Sequence, residues 1–340
     1  MLASLLALAA CVPRYSSLPA IEPDELWAPG AVRHVVVDTP GVAGVSIAFT
    51  DSAASGVVPA DPDAVPLVFV HGLSSTMGFW EYQLPHFQEQ RRVLALDLPG
   101  YGMSGRPDAP YTPPWYAEVL DAWLDAVGLE RVVIVGHSMG GQIALTFALH
   151  HPDRVAGLIL SAPAGFERFS PGEAAWMKRY WTEDRAMQAR EDELRATFTR
   201  LVFNRHDDGV ERLLRERVQL GRSETFAGTS VAVSRSIAGM LDHPVWDRLG
   251  EVRTPTLIVF GSDDRMIPNP VFTGGTTRSV ARQGAAALPD AALVMVPGAG
   301  HTVHHDAPDR FNEAVDWFLA GRLSRRHATA PVAGAHGGER

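Results

Sequence analysis

Short runs rich in Val, Ile and Leu recur along the chain, and turn residues separate them. Runs that are apolar throughout suit strands buried on both faces, as in a parallel sheet. Eight strands are predicted: Val32–Val37, Val42–Phe49, Pro66–Val70, Val93–Leu96, Arg131–Val135, Val155–Leu160, Thr256–Phe260 and Ala292–Val296. Helical patterns lie between them at Gly78–Gln90, Pro113–Val127, Met139–His150 and Pro308–Leu323. This alternation predicts an α/β fold with a doubly wound, mostly parallel sheet.

The alternation stops between residues 165 and 247, where charged helical patterns replace the strands. Ser170-Pro-Gly-Glu173 fits a capping box with proline at the first helical position, so a helix is expected to begin there. Further helices are predicted at Glu191–Phe203, Gly209–Leu220 and Glu224–Leu241. We therefore expect a helical insertion at 165–247 that divides the sheet domain into two parts, 31–164 and 248–323.

The two ends of the chain lack this regular pattern. Residues 1–30 combine a short apolar run with a Pro-rich linker, and residues 324–340 are expected to form a disordered tail. Leu8-Ala-Ala-Cys11 resembles a bacterial lipobox, in which the cysteine is acylated, but no positively charged segment precedes it. Localisation stays open between the cytoplasm and, if Cys11 is lipidated and anchors the protein to a membrane, the cell envelope.

Composition narrows the function classes. The 340 residues are 46% hydrophobic and 20% charged, which is typical of globular proteins. A formal charge of −9 without clustered basic residues argues against nucleic-acid binding. The single cysteine excludes an intramolecular disulfide and a cysteine-based metal cluster. We expect neither a metal nor a cofactor, and the oligomeric state stays open.

The strongest chemical signal is Gly136-His-Ser-Met-Gly140, which lies between a predicted strand and a predicted helix. A G-x-S-x-G sequence in this setting is typical of a nucleophile elbow, in which a strained turn exposes the serine hydroxyl. The hypothesis is that Ser138 is a nucleophile. An N-capping serine in a tight turn is the plainer interpretation.

A serine nucleophile needs a histidine base and an orienting carboxylate. His301 follows the last predicted strand, and its neighbours His304 and His305 are expected at the surface. Asp263 and Asp264 both follow the strand that ends at Phe260, and the residues themselves do not choose between them. The loop after Leu160 contains no carboxylate.

From residue 31 to 322 the chain resembles the α/β-hydrolase superfamily, in particular its capped esterase- and lipase-like branch. The resemblance rests on five motifs in the family's order: His71-Gly72, Asp97-Leu-Pro-Gly-Tyr-Gly-Met-Ser104, Gly136-His-Ser-Met-Gly-Gly141, Gly261-Ser-Asp-Asp264 and Gly300-His301. It implies that Asp264 is the acid of the triad and that Asp97 and Ser104 belong to a structural turn. It also implies that the insertion is a lid.

The same resemblance implies an oxyanion hole made by the backbone N–H groups of Met139 and Leu73. Ser74 and Trp80 are expected in the substrate pocket, and Trp176 and Trp181 of the insertion are candidate pocket walls. The plainer interpretation of these tryptophans is packing among the insertion helices.

The sequence thus predicts a serine hydrolase for small or medium apolar carboxylic esters. A lipase, a carbon–carbon bond hydrolase or a haloperoxidase-like enzyme of the same fold are the alternatives. The serine at the elbow disfavours dehalogenases and epoxide hydrolases of this fold, which use aspartate there. A ligand receptor without catalysis is the alternative from another class.

Overall fold

The computed structural model describes residues 15–321, so Cys11 and the tail at 324–340 lie outside the described residues. One sheet of eight strands forms the centre of the molecule, in the order β1-β2-β4-β3-β5-β6-β7-β8. Strand β1 pairs with β2 and β2 with β4 in antiparallel orientation, and every other pair is parallel. The strands are β1 Val32–Thr39, β2 Val42–Asp51, β3 Leu67–Val70, β4 Val93–Leu96, β5 Val132–His137, β6 Val155–Ser161, β7 Thr256–Gly261 and β8 Ala291–Val296. The predicted α/β class is confirmed.

Eleven α-helices accompany the sheet in the described part of the chain. They are α1 Leu84–Gln88, α2 Pro113–Ala126, α3 Met139–His150, α4 Pro171–Tyr180, α5 Glu183–Met187, α6 Glu191–Thr197, α7 Asp208–Leu220, α8 Phe226–Asp242, α9 Thr277–Ala287, α10 Val303–Asp306 and α11 Pro308–Gly321. Within residues 15–321, none of these helices is long and apolar enough to cross a bilayer.

Successive side chains along each strand point to opposite faces of the sheet, so the apolar core has two parts, one on each face. Val68 and Val70 point to the face covered by α2, α3 and α9, and Leu67 and Phe69 point to the face covered by α1 and α11. Strands β3 to β6 are buried along their whole length. Their apolar runs therefore reflect burial on both faces, as the sequence predicted.

Several helical segments differ from the prediction. The helix predicted at Gly78–Gln90 is a 3-10 turn followed by the short helix α1, because Pro85 lacks an N–H and fits only the first turn of a helix. Helices α5, α9 and α10 were not predicted. The buried face of α9 consists of Thr277, Val280, Ala281 and Gly284, which give little apolar periodicity.

Helices α4 to α8 lie between β6 and β7, and we call residues 171–242 the helical insertion. The predicted capping box is confirmed, since Ser170 Oγ accepts from Glu173 N and Glu173 Oε2 accepts from Ser170 N at 2.7 Å. A separate apolar cluster holds α7 and the segment 198–203 before it to the turn before α1; its members are Tyr15, Phe79, Phe198, Phe203, Val210, Leu213, Leu214 and Val218. The insertion therefore packs over the loops that follow the parallel strands.

Candidate active site

Ser138 occupies the turn between β5 and α3 with φ 52° and ψ −116°. A residue other than glycine held in such a conformation stores about 1–3 kcal/mol of strain, which surrounding contacts must maintain. A Cβ atom on Gly136 would lie 2.5 Å from the Gly140 carbonyl oxygen, and one on Gly140 would lie 2.4 Å from that of Val70. Both glycines are therefore required by close backbone approach at this turn.

The helix that follows Ser138 supplies unpaired backbone donors. Helix α3 begins at Met139, and the Ser138 carbonyl oxygen accepts from Gly141 N and Gln142 N at 2.9 and 3.2 Å. The first N–H groups of a helix have no partner within it and form the positive end of its dipole. The N–H of Met139 thus lies beside the serine in an environment that favours negative charge.

The loop after β3 passes directly against Ser138. A Cβ atom on Gly72 would lie 3.2 Å from Ser138 Cβ and only 2.8 Å from His137 Nδ1, so a larger residue here would displace its neighbours. His71 fixes the loop: its Nδ1 donates to the Gly72 carbonyl oxygen at 2.7 Å, and Leu98 N donates to its Nε2 at 3.0 Å. Leu73, whose N–H the sequence proposes as second oxyanion donor, follows this contact in the chain.

The histidine and the carboxylate meet at the same sheet edge. His301 follows β8 and Asp264 follows β7, both side chains are buried, and His301 Nδ1 lies 2.9 Å from Asp264 Oδ2. Asp264 Oδ1 accepts from Met266 N and Ile267 N at 2.8 and 3.0 Å, which fixes the carboxylate. Asp263 is exposed and accepts from Ser262 Oγ. Of the two aspartates, the structure pairs Asp264 with His301.

The expectation that His304 and His305 lie at the surface is wrong, because both side chains are fully buried. His304 Nδ1 lies 3.0 Å from Ser161 Oγ, and its ring lies 4.2 Å from that of Trp80. His305 Nε2 lies 2.8 Å from Glu81 Oε1. The short helix α10, which follows His301, is buried, although its polar residues favoured exposure.

Three other buried histidines remain neutral. Burial lowers the pKa of His71 to about 4 and holds the pKa values of His137 and His304 well below the usual value. His71 also cannot take up a second proton without losing the bond from Leu98 N. These imidazoles therefore form an uncharged layer around the His301 loop, where His137 Nε2 donates to the His301 carbonyl oxygen at 3.2 Å.

Lowering the pH from 7 to 5.5 is expected to reduce the free energy of unfolding. The unfolded chain binds protons at His71, His137 and His304 below about pH 6.5, whereas the folded chain does not, which costs about 1 kcal/mol for each histidine. Asp97 acts in the opposite direction, because burial raises its pKa to about 6. The net loss of unfolding free energy is expected to be about 2 to 3 kcal/mol, measured by guanidinium denaturation at the two pH values.

The matched control for this effect is the exposed His34. His304→Gln should reduce the loss of unfolding free energy between pH 7 and 5.5, because one of the three histidines is then absent. His34→Gln should leave that loss as in the wild type. Equal stability of the wild type at pH 7 and 5.5 would contradict the neutral histidine layer.

Asp306, which the sequence did not single out, ties the helical insertion to the His301 loop. Its carboxylate accepts from Gly300 N at 2.7 Å, from Asn204 N at 3.0 Å and from Arg205 N at 2.9 Å. Thr302 Oγ1 also donates to the Val202 carbonyl oxygen at 2.9 Å. The position of the histidine loop therefore depends on the segment between α6 and α7.

Of the four pocket candidates named above, Ser74 lines a cavity near this site. The cavity has a volume of about 30 Å³, and we call it the loop cavity because it lies against residues 73–76. Trp80 is fully buried in the core, and Trp176 and Trp181 are 45% and 40% exposed. The structure does not bring these three tryptophans to the loop cavity. Among residues 15–321, no cluster of His, Cys, Asp or Glu is arranged to hold a metal ion.

Residues 67–314 match the family model described as "Alpha/beta hydrolase family". A human (lyso)-N-acylphosphatidylethanolamine lipase is 26% identical over 76% of this chain and 80% of its own length. A human 1-acylglycerol-3-phosphate O-acyltransferase is 28% identical over 74% of this chain and 76% of its own length.

Among solved structures, a probable hydrolytic enzyme from Pseudomonas aeruginosa has a TM-score of 0.77 at 23% identity, with 87% of this chain and 97% of that chain covered. At this identity the likeness concerns the fold. The chain spans 63 to 67% of the length of several other curated relatives.

Proposed function

Since this chain belongs to the alpha/beta hydrolase family, we propose that it hydrolyses small or medium apolar carboxylic esters through an acyl-enzyme on Ser138. One observation carries the proposal: the strained serine lies at the same sheet edge as a buried His301–Asp264 pair joined at 2.9 Å. A serine, a histidine and a carboxylate at one site form the arrangement that acyl transfer requires.

The direction of proton transfer follows from the His301–Asp264 contact. A carboxylate only accepts hydrogen bonds, so the proton of neutral His301 lies on Nδ1 and leaves Nε2 free as the base. His301 Nε2 takes the hydroxyl proton as Ser138 Oγ attacks the ester carbonyl carbon. It returns that proton to the leaving alkoxide, and an acyl-enzyme remains. Water then attacks the acyl carbon, again with His301 as base, and the free acid leaves.

The charge that develops on the carbonyl oxygen needs fixed donors. In this proposal the N–H groups of Met139 and Leu73 supply them, because α3 begins at Met139 and Leu73 follows Gly72, which lies close to Ser138. Each such donor lowers the barrier by about 3 kcal/mol in comparable enzymes. The buried neutral histidines around the loop add no positive charge there.

The test is a series of p-nitrophenyl esters of increasing acyl length, assayed with the purified protein. We expect kcat/KM to peak at short to medium acyl chains, because the loop cavity beside residues 73–76 is small, with a volume of about 30 Å³. Activity that rises steadily through long chains would indicate a lipase instead. Inactivity with every ester in a protein whose serine still reacts would favour carbon–carbon bond hydrolysis.

Acyl transfer is the second candidate function, because several similar proteins, including the human one above, are named acyltransferases. Both reactions share the acyl-enzyme and differ in whether water or an alcohol attacks it. The same assay separates them when glycerol is added. A hydrolase releases free acid in equal amount to p-nitrophenol, whereas a transferase forms the glycerol ester in its place.

A further inference from the structure

The loop cavity lies between the loop at 73–76, helix α7 and helix α8. Its lining is mostly apolar, with a few polar groups on one side; the lining residues are Leu26, Ser74, Ser75, Thr76, Phe79, Tyr101, Gly102, Phe198, Leu213, Glu216, Arg217, Leu220, Phe226 and Thr229. Ser74 and Ser75 follow Gly72 and Leu73, the segment that passes against Ser138. The cavity is therefore separated from the nucleophile by only a few residues of loop.

Arg217, in the last turn of α7, is the notable residue of this lining. Its guanidinium carbon lies 4.5 Å from the centre of the Phe226 ring. A ring contact uses only the face of the guanidinium and leaves its five in-plane N–H donors free. Within residues 15–321, those donors have no hydrogen bond and no carboxylate in salt-bridge range.

Arg217 is a partly exposed cation with no acid beside it. Surrounding protein lowers the pKa of Arg217 to about 10, and no nearby acid counteracts the effect. Glu216, its neighbour in the lining, does not neutralise it: Glu216 Oε1 accepts from Trp27 N at 3.3 Å, and its nearby cations are Arg212 and Arg215. A partly exposed cation without a counterion is free to bind an anionic partner through charge-assisted hydrogen bonds.

A second polar group in the lining also lacks a partner. Ser75 is 3% exposed, and its Oγ has no hydrogen bond with any of the described residues. Buried hydroxyls are almost always paired, so an unpaired one that borders a cavity indicates a missing acceptor. Ser74 beside it has φ 56°, a conformation that only surrounding contacts can hold in a residue with a side chain. Ser75 and Arg217 thus both offer donors to the same space.

We propose that the loop cavity binds a carboxylate carried by the substrate, with Arg217 and Ser75 as its donors. The volume of about 30 Å³ matches one group of a few atoms. The planar fork of arginine suits a carboxylate, which can accept two parallel hydrogen bonds. Apolar walls such as Phe79, Phe198 and Leu213 suit the methylene chain that joins the carboxylate to the ester. This inference rests on the proposed function and specifies the substrate class.

The experiment compares two series of p-nitrophenyl esters. One series consists of mono-esters of adipic, suberic and sebacic acid, which keep a free carboxylate; the other consists of neutral esters of the same chain length. For the best chain length, the wild type should show a kcat/KM for the carboxylate ester about tenfold above that for the neutral ester. Arg217→Met should lower this ratio at least about tenfold, and Arg217→Lys should give an intermediate ratio.

Arg215→Met is the matched control, because Arg215 is an exposed arginine on the same helix; it should leave the ratio as in the wild type. Ser75→Ala should lower the ratio by about threefold, since it removes one uncharged donor. As a measurement that needs no variant, free suberate should inhibit hydrolysis of the neutral ester competitively.

Two results would overturn the carboxylate site: neutral esters favoured by the wild type at every length, or an unchanged ratio in Arg217→Met. If neutral esters are hydrolysed without any preference, this inference alone fails. If no ester of either series is hydrolysed and Ser138 does not react, the proposed function fails as well.

Discussion

Replacing Ser138 with alanine is expected to lower kcat/KM for p-nitrophenyl esters by at least about 10⁴-fold. Ser138 Oγ forms the covalent bond to the acyl group, and alanine supplies no nucleophile in its place. Because alanine keeps a small side chain at φ 52°, the fold is expected to persist, and circular dichroism checks this. The residual rate reports what the two backbone donors and substrate binding contribute alone.

The control for this variant is Ser55→Ala, which removes a serine hydroxyl at the opposite end of the sheet. Ser55 follows β2, whose last residue, Asp51, pairs with the start of β4. Full activity is expected there. If Ser138→Ala kept more than a tenth of the wild-type rate, another residue would have to be the nucleophile.

Replacing Asp264 with asparagine is expected to lower kcat/KM by about 10³- to 10⁴-fold. Oδ1 accepts from the N–H groups of Met266 and Ile267, so the amide oxygen of asparagine takes that position. The amide NH₂ then faces His301 Nδ1 and forces the proton onto Nε2, the atom that must act as base. The loss thus follows from the wrong tautomer and not from a lost contact.

Asp263 provides a matched control for the acid, because it is an adjacent aspartate on the same loop with an exposed side chain. Asp263→Asn should lower kcat/KM by less than about threefold, and its unfolding midpoint should match the wild type within error. A larger loss for Asp263→Asn than for Asp264→Asn would show that the acid has been assigned to the wrong residue.

Much of the sheet could be predicted from the sequence, because buried strands need continuous apolar residues. The predicted Val93–Leu96 has the same bounds as β4, and the others differ by at most two residues at either end. Helix α3 was also predicted with its observed bounds. The apolar pattern predicts these strands because a strand buried on both faces needs apolar residues along its whole length.

The surroundings of the candidate site could not be predicted in the same way. His304 and His305 are buried, and Asp306 collects three backbone N–H groups, yet all three belong to a polar segment of sequence. Their environment comes from elements distant in the chain, such as Trp80 and the segment at 202–205. Polar residues in isolation predict exposure, and only tertiary contacts reverse that.

The environment of Arg217 could not be predicted from the sequence either. In the sequence it is one of several arginines on a charged amphipathic helix, and nothing distinguishes it from Arg212 or Arg215. In the structure Arg212 pairs with Glu81 at 2.8 Å and Arg215 is exposed, whereas Arg217 borders the loop cavity. The difference arises from the packing of α7 against the loop at 73–76.

The most direct test of Ser138 as nucleophile is labelling with a fluorophosphonate followed by peptide mass spectrometry. The wild type should gain one phosphonyl group, located on the peptide that contains Ser138, and Ser138→Ala should gain none. Absence of labelling in folded wild-type protein, or a label on another serine that persists in Ser138→Ala, would contradict the proposed acyl-enzyme.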